Sequence, residues 1–308
     1  MSSLLSDALP GALPNVFAAA STDAVPDVVA RIAQLFVYPV KSCAGVEVTE
    51  VVLTETGFDL DRAWMVVDQD GVYATQRELP RMVLVRVQLK HYEVVLRAPG
   101  MLALHLQIDA VEQPVKVRIW SDVVNAYDMG DIAAQWFSDF LGRKLRLVRF
   151  DPDHRRLSSL QWTGGIEAPN QFNDGYPVLL VGEASLQSLN ERLVAAGHGA
   201  VGIERFRPNI VLTGIEAHDE DRLDMLRVDA GEPVLLKTVK PCSRCPIPNI
   251  DPATGQSSPD VGDMLQSYRK NDVLGGAISF GMNLIVIQGV DQTLRVGQAV
   301  AADWGFGG

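Results

Sequence analysis

Cysteine is scarce in this chain of 308 residues, which holds three, Cys43, Cys242 and Cys245. Three thiols cannot build a disulfide scaffold, and the odd count points to a reducing compartment. No apolar run reaches the roughly 18 residues that cross a bilayer. Basic residues are outnumbered, with 27 Lys and Arg against 38 Asp and Glu and a net charge of −11. Such a surface repels phosphate backbones and anionic membranes, which argues against nucleic-acid and membrane binding. Also missing are a GxxxxGK[ST] phosphate loop, a GxGxxG turn after a strand, a GxSxG nucleophile elbow and any HExxH or paired-His metal motif. What is present is 47% apolar and 21% charged, with 26 Gly and 17 Pro. That composition is globular, and at roughly 100–200 residues per domain the length allows two domains or one large one.

Residues 1–28 contain no Lys or Arg, but hold Asp7, Asp23, Asp27, Pro10, Pro14 and Pro26. A secretory signal needs a positive start and an unbroken apolar run, so residues 1–29 read as a poorly ordered leader and the chain as cytoplasmic. From Arg31 onward the pattern changes to short β-branched or aromatic runs, which predict strands at 32–40, 46–54, 63–67, 82–89, 94–96 and 115–120. Helical spacing of Ile132, Ala133, Trp136, Phe137, Phe140 and Leu141 predicts a helix with Asp131 as N-cap and Gly142 as terminator. A second helix is expected at 185–196, followed by strands at 209–213, 233–239, 284–288 and 294–299. Few helices among many short strands predict an α+β, β-rich fold over a doubly wound one. The polar stretch around 150–170 divides it into 30–150 and 151–305. The acidic segment 216–224 reads as a solvated loop.

The sharpest local signal is Cys242-Ser243-Arg244-Cys245, followed by Pro246 and Pro248. A thioredoxin-like pair needs its first Cys at a helix N-terminus, and the prolines argue against a helix there. Structural zinc would need two more ligands from Cys43 and the five His, none of them at ligand spacing. Two readings stay open: a thiolate held against a soft metal with Arg244 beside it, or a pair of buried, inert thiols. Lys41 and Ser42 stand where a strand breaks into a loop, where free N–H groups bind oxyanions. Arg62, Arg77 and Arg207 also stand at strand ends, and Asn209 can donate to and accept from a heterocycle edge. Each of these cations alone reads as a surface ion pair. Together, in an acidic chain, they fit a positive pocket for an anionic cofactor.

The ordered set YPVKSC, DRAW, TQR, FRPNIV, CSRC and DPATG resembles the MOSC superfamily, most closely its two-module molybdenum enzymes, the mitochondrial amidoxime reducing components and their bacterial relatives. The likeness runs from about Arg31 to Val300. It implies a MOSC-type β-barrel domain preceded by a β-rich MOSC N-terminal domain, with a molybdopterin-type molybdenum cofactor between them. By position, Cys245 would be the catalytic thiolate on molybdenum, with Ser243 and Arg244 contacting the cofactor from the same loop. Lys41, Ser42, Arg62, Arg207 and Asn209 match positions that hold the pterin and its phosphate. Cys43 and Cys242 are expected to be buried structural thiols. Where the eukaryotic enzymes carry a Thr-Ser pair this chain has Gly175-Tyr176, so those two contacts are not carried over. The resemblance implies reduction of N-hydroxylated or N-oxide compounds such as amidoximes, hydroxylamines and N-hydroxylated bases. Electrons would come from a separate ferredoxin, flavoprotein reductase or cytochrome b5-like carrier, because no cysteines remain for an iron–sulfur cluster. The alternative it leaves is a MOSC protein that binds or transfers the cofactor, or carries sulfur on Cys242 or Cys245.

Overall fold

A computed structural model describes residues 25–110 and 113–305. The expectation for residues 1–24 lies outside the described residues. Seven strands close into a barrel: β1 (Val28–Val37), β2 (Val178–Gly182), β3 (Ile210–Thr213), β4 (Leu223–Asp229), β5 (Pro233–Ser243), β6 (Ala277–Gln288) and β7 (Ala299–Trp304). The ring runs β2-β3-β1-β7-β4-β5-β6 and returns from β6 to β2. Alternate side chains fill it, as in Val28, Ala30 and Ile32 on β1, and an irregularity between Ile32 and Gln34 resets the phase so that Leu35 and Val37 also point inward. Closure leaves no exposed sheet edge in the ring. Its one parallel pair, β2 with β3, is bridged by a helix, the connection parallel strands require.

β1 is the point at which the division at 150–170 and the folded chain differ. It pairs with β3 on one side and β7 on the other, so the start of the described chain belongs to the barrel formed by its end. A composition change marks a connector; it holds no information about which sheet a distant strand closes. The remaining N-terminal part packs Trp64–Val67, Arg146–Phe150, Asp122–Asp128 and Gln113–Ile119 into one sheet. Arg86–Leu89, Glu93–Arg97 and Leu104–Gln107 form another. Between them lies a core that includes Trp64, Met82, Leu96, Phe137 and Leu147.

Four α-helices are found among the described residues: α1 (Gly130–Leu141), α2 (Leu160–Thr163), α3 (Glu183–Ala195) and α4 (Asp260–Tyr268). Gly142 ends α1 at φ 70°, as the sequence predicts. Asp131 is not its N-cap: Gly130 donates its N–H to the Asp128 carboxylate at 2.7 Å, while Asp131 sits in the first turn and meets Arg146 at 3.0 Å. The N-cap position is Met129, which has no side-chain cap, and the first free N–H is taken instead by the acid at the end of the preceding strand. The acidic segment also departs from expectation. It folds into a turn at Asp219–Arg222 that buries Glu220 completely against α3, where the Ser185 hydroxyl donates to its carboxylate at 2.7 Å. No helix among the described residues is long and apolar enough to cross a membrane.

Candidate functional site

A cleft of about 640 Å³ opens where the barrel meets the N-terminal part, within the usual range of small-molecule sites. All eight residues singled out in the sequence, Lys41, Ser42, Arg62, Arg207, Asn209, Ser243, Arg244 and Cys245, line it. Its described lining has eight basic side chains and two acidic ones, Asp122 and Asp174, in a chain whose net charge is −11. A positive basin inside an acidic protein focuses anions into the cleft.

The deepest charge cluster is built on strained backbone. Ser42, Arg62 and Arg207 have φ of 67°, 53° and 57°, in the left-handed region that ordinary residues avoid. Arg62 is held by Asp61 and by Asn209 Oδ1 at 3.1 Å, and donates through Nη2 to the Arg207 carbonyl at 3.2 Å. Arg207 donates to the Cys43 carbonyl. Both guanidiniums lie over the buried Tyr38 ring, 4.5 and 4.3 Å from its centroid. Burial, with Arg62 adding repulsion, pulls the Arg207 pKa down to about 10. A cation so disfavoured is stabilised by an arriving anion.

Asn209 departs from the expected heterocycle contact. It is 1% exposed, and its amide is bonded within the protein at all but one Nδ2 proton. Oδ1 accepts from the Leu179 N–H and from Arg62, while Nδ2 donates to the Phe36 carbonyl at 3.2 Å. Its place in the site is therefore to tie β1 to the start of β2 and to hold Arg62. Lys41 is also buried; Nζ donates to the Phe172 carbonyl at 2.8 Å and to Asp174 Oδ1 at 2.6 Å. Burial pulls its pKa down and Asp174 opposes that shift.

The CSRC segment leaves the barrel wall at the end of β5. Arg244 donates through Nε and Nη2 to the Phe280 carbonyl on β6 at 2.9 and 2.6 Å, and through Nη1 to the Phe206 carbonyl at 2.9 Å. That fork pins the loop between β6 and the residue before Arg207. A short turn at Ile247–Asn249 follows, with Pro248 inside it, so neither cysteine begins a helix and the thioredoxin-like geometry is absent. Among the described residues no three His, Cys, Asp or Glu gather as a metal set. Cys43 is fully buried, its thiol pushed up to about 12 by burial. Cys242 departs from the buried reading: it is partly accessible and shares the cleft with Cys245.

Sequence reasoning missed Asp174, Lys240, Trp120 and Arg156, and set Tyr176 aside, yet all line the cleft. Lys41, Arg77 and the Trp120 indole N–H hold the Asp174 carboxylate well below the usual range. Arg77 lies 4.6 Å from the Trp120 ring centroid, and Trp120 itself has φ 53°. Such residues sit in ordinary turn sequences, so only the fold gathers them.

A closed barrel joined to a second β-rich unit, with a basic, thiol-bearing cleft at their seam, defines a two-module architecture. Residues 29–144 match the family described as MOSC N-terminal beta barrel domain, and 167–301 match the MOSC domain. The chain belongs to the MOSC family. It is 34% identical over 256 residues to mitochondrial amidoxime reducing component 2 of Rattus norvegicus, covering 79% of this chain and 74% of that protein. It is 34% identical over 287 residues to mitochondrial amidoxime-reducing component 1 of Homo sapiens, covering 88% and 82%. Molybdenum cofactor sulfurase of Bos taurus is 29% identical over 266 residues, but the match covers 29% of that longer protein against 80% of this chain.

Proposed function

We propose that this protein is a molybdenum-cofactor-dependent reductase of N-hydroxylated or N-oxide compounds. The observation that carries the reading is the Arg62–Arg207 pair in the same cleft as the Cys245 thiol. Guanidiniums suit bidentate contact with a phosphate, and thiolate is a soft ligand for a metal. The residues present therefore fit a phosphorylated, metal-bearing pterin. Arg62, Arg207, Ser42 and the remaining Lys41 donor would hold its anionic end, and Cys245 its metal, losing its proton on binding. When bound, the cofactor supplies the two-electron cleavage of the N–O bond: R–NH–OH, two electrons and two protons give R–NH₂ and water.

The chain's own residues prepare that step. Arg244 fixes the loop that presents Cys245 through its two carbonyl anchors. Asp174, kept ionised by Lys41 and Arg77, offers an acceptor to a substrate N–H or O–H. Sequence similarity to the amidoxime reducing components over most of their length supports a reductase over the sulfurase reading. Electrons would come from a separate carrier, a ferredoxin, flavoprotein reductase or cytochrome b5-like protein. Three unpaired thiols suit the cytoplasm.

The second reading, sulfur carriage, draws on the access of Cys242 to the cleft beside Cys245. One preparation separates the two. Protein purified from a host that makes the cofactor is assayed for molybdenum, pterin and an added sulfur on either Cys, then for amidoxime reduction with a chemical electron donor. Near-stoichiometric metal with turnover that Cys245→Ala abolishes supports the reductase. Added sulfur without turnover, in a host that loads a control molybdoenzyme, overturns it.

A further inference from the structure

The cations of the cleft rest on different rings. Arg62 and Arg207 lie on Tyr38, and Arg244 lies 5.5 Å from the centroid of Phe206, which packs on Phe280 at 4.3 Å. Lys240 belongs to none of these stacks. It stands on β5, two residues before Cys242, with Nζ 4.8 Å from the Trp162 centroid and 6.0 Å from that of Tyr176. Trp162 comes from α2, which packs on β5, and Tyr176 from the loop before β2. Both rings therefore belong to the segment joining the two parts of the protein.

Lys240 has no carboxylate at ion-pair distance among the described residues, whereas Lys41, Arg62 and Arg156 each have one. The Asn283 amide donates to its backbone carbonyl at 3.1 Å, and the ammonium itself makes no hydrogen bond among the described residues. Cys242, two residues further along, lines the same cleft as Lys240 and Cys245. An ammonium that lines the cleft with Tyr176 and rests on the Trp162 ring is a receptor with a definite chemistry.

We infer that Lys240, Trp162 and Tyr176 form a substrate subsite for planar, unsaturated N-hydroxylated compounds that carry an anionic group, a carboxylate or a phosphate. Lys240 pairs with the anion and Tyr176 lies against the ring, while Trp162, outside the cleft lining, backs the ammonium from α2. The substrate chemistry rests on the reductase reading, but the anion-and-ring receptor does not. The net charge of −11 adds a reason for such a cation, because an anionic substrate approaches an otherwise repelling surface.

The test compares benzamidoxime with its 4-carboxylate and 4-phosphate derivatives, which share one reacting group. Initial rates with a chemical electron donor and equilibrium binding by tryptophan fluorescence are measured on the loaded wild type, K240M, K240R and W162L. The wild type is expected to favour the anionic compounds about tenfold, chiefly through KM, which corresponds to about 1.4 kcal/mol. K240M should bring the ratio near one, since it keeps the apolar stem over Trp162, and K240R should restore the preference. The carboxylate and phosphate arms show which anion is favoured. Equal kcat/KM for charged and neutral compounds in the wild type, or a preference that survives in K240M, overturns the subsite. If no compound is turned over, the reductase reading fails while binding still decides: anion-selective quenching lost in K240M upholds the subsite, and its absence rejects it.

Discussion

Arg62 Nη2 donates to the main-chain carbonyl of Arg207 at 3.2 Å, and the two guanidiniums share the face area of one buried tyrosine, Tyr38. Asp61, 1% exposed, neutralises the first. Nothing among the described residues neutralises the second, which is bound only by the Cys43 carbonyl. The protein holds one buried positive charge in excess at this point, on a backbone twisted into the left-handed region at both residues. Strain and an uncompensated buried charge each cost stability, and their coincidence here favours a ligand site over a purely structural cluster.

Arg207→Met tests that distinction. Removing the charge relieves repulsion from Arg62, while losing the Cys43 hydrogen bond costs about as much. The cofactor-free variant should stay within about 1 kcal/mol of the wild type in denaturant unfolding. Its molybdenum and pterin content should fall about tenfold or more, the loss expected for one charged hydrogen-bonding group. A large loss of stability with normal cofactor content would make Arg207 structural.

His218 makes a pH prediction. Burial, then Arg269 and Arg192, pull its pKa down to about 4 from an ordinary value near 6.5. Its folded value lies below its unfolded one, so between about pH 6.5 and 4 the unfolded chain binds the extra proton and stability falls as pH falls. Glu220 and Asp221, whose pKa values are raised by burial, act in the opposite sense. His218→Asn isolates the histidine, because Asn tolerates the φ of 69° found there. Between pH 7 and 4.5 the wild type should lose about 2 kcal/mol relative to the variant in urea midpoints. Parallel curves for both proteins would assign the acid sensitivity elsewhere.

How much of this was readable beforehand depended on the kind of signal. The helix ending at Gly142 announced itself through apolar spacing and a left-handed terminator, both local properties. The sequence pattern predicts a strand only at 284–288, whereas β6 runs from Ala277 through Gly281 to Gln288, because a glycine there resembles a break. β4, the strand Asp122–Asp128 and α4 were not foreseen at all, being short or mixed in polarity until packed. Motif order singles out Cys245 and the Arg positions, and the fold brings them to one cleft. Asp174, Trp120 and Lys240 were missed because each stands in a turn or at a strand position with no motif, and only closure of the barrel against the N-terminal part gathers them. The burial of Glu220 was equally invisible, since an acidic run reads as solvated whatever later covers it.

Gly281 connects the barrel wall to the site. With φ 79°, a Cβ there would lie 2.4 Å from the Leu180 carbonyl oxygen and 2.7 Å from Val181 Cγ2, so β6 could not stay against β2. The neighbouring Phe280 carbonyl receives the Arg244 fork. Gly281→Ala should therefore cost about 3 kcal/mol or more in unfolding experiments and lower cofactor content with it. If stability fell but the folded fraction retained full cofactor and turnover, the fork would not depend on the position of this strand.

The three cysteines should separate by chemistry. Cys43, fully buried and with its thiol pushed up to about 12, should resist alkylation in the folded protein. Cys43→Ala should cost about 1 kcal/mol of stability and leave cofactor content unchanged, because it removes a small buried group whose backbone carbonyl still serves Arg207. Cys242 and Cys245 both reach the cleft, so a thiol reagent should modify both in cofactor-free protein. In loaded protein Cys245 should be shielded by its metal, and peptide mapping should find the label on Cys242 alone. Cys245→Ala should abolish turnover even where phosphate contacts from Arg62 and Arg207 retain the pterin. Mapping that finds Cys242 protected instead would transfer the metal to that sulfur and place the ligand at the end of β5, before the Arg244 anchor.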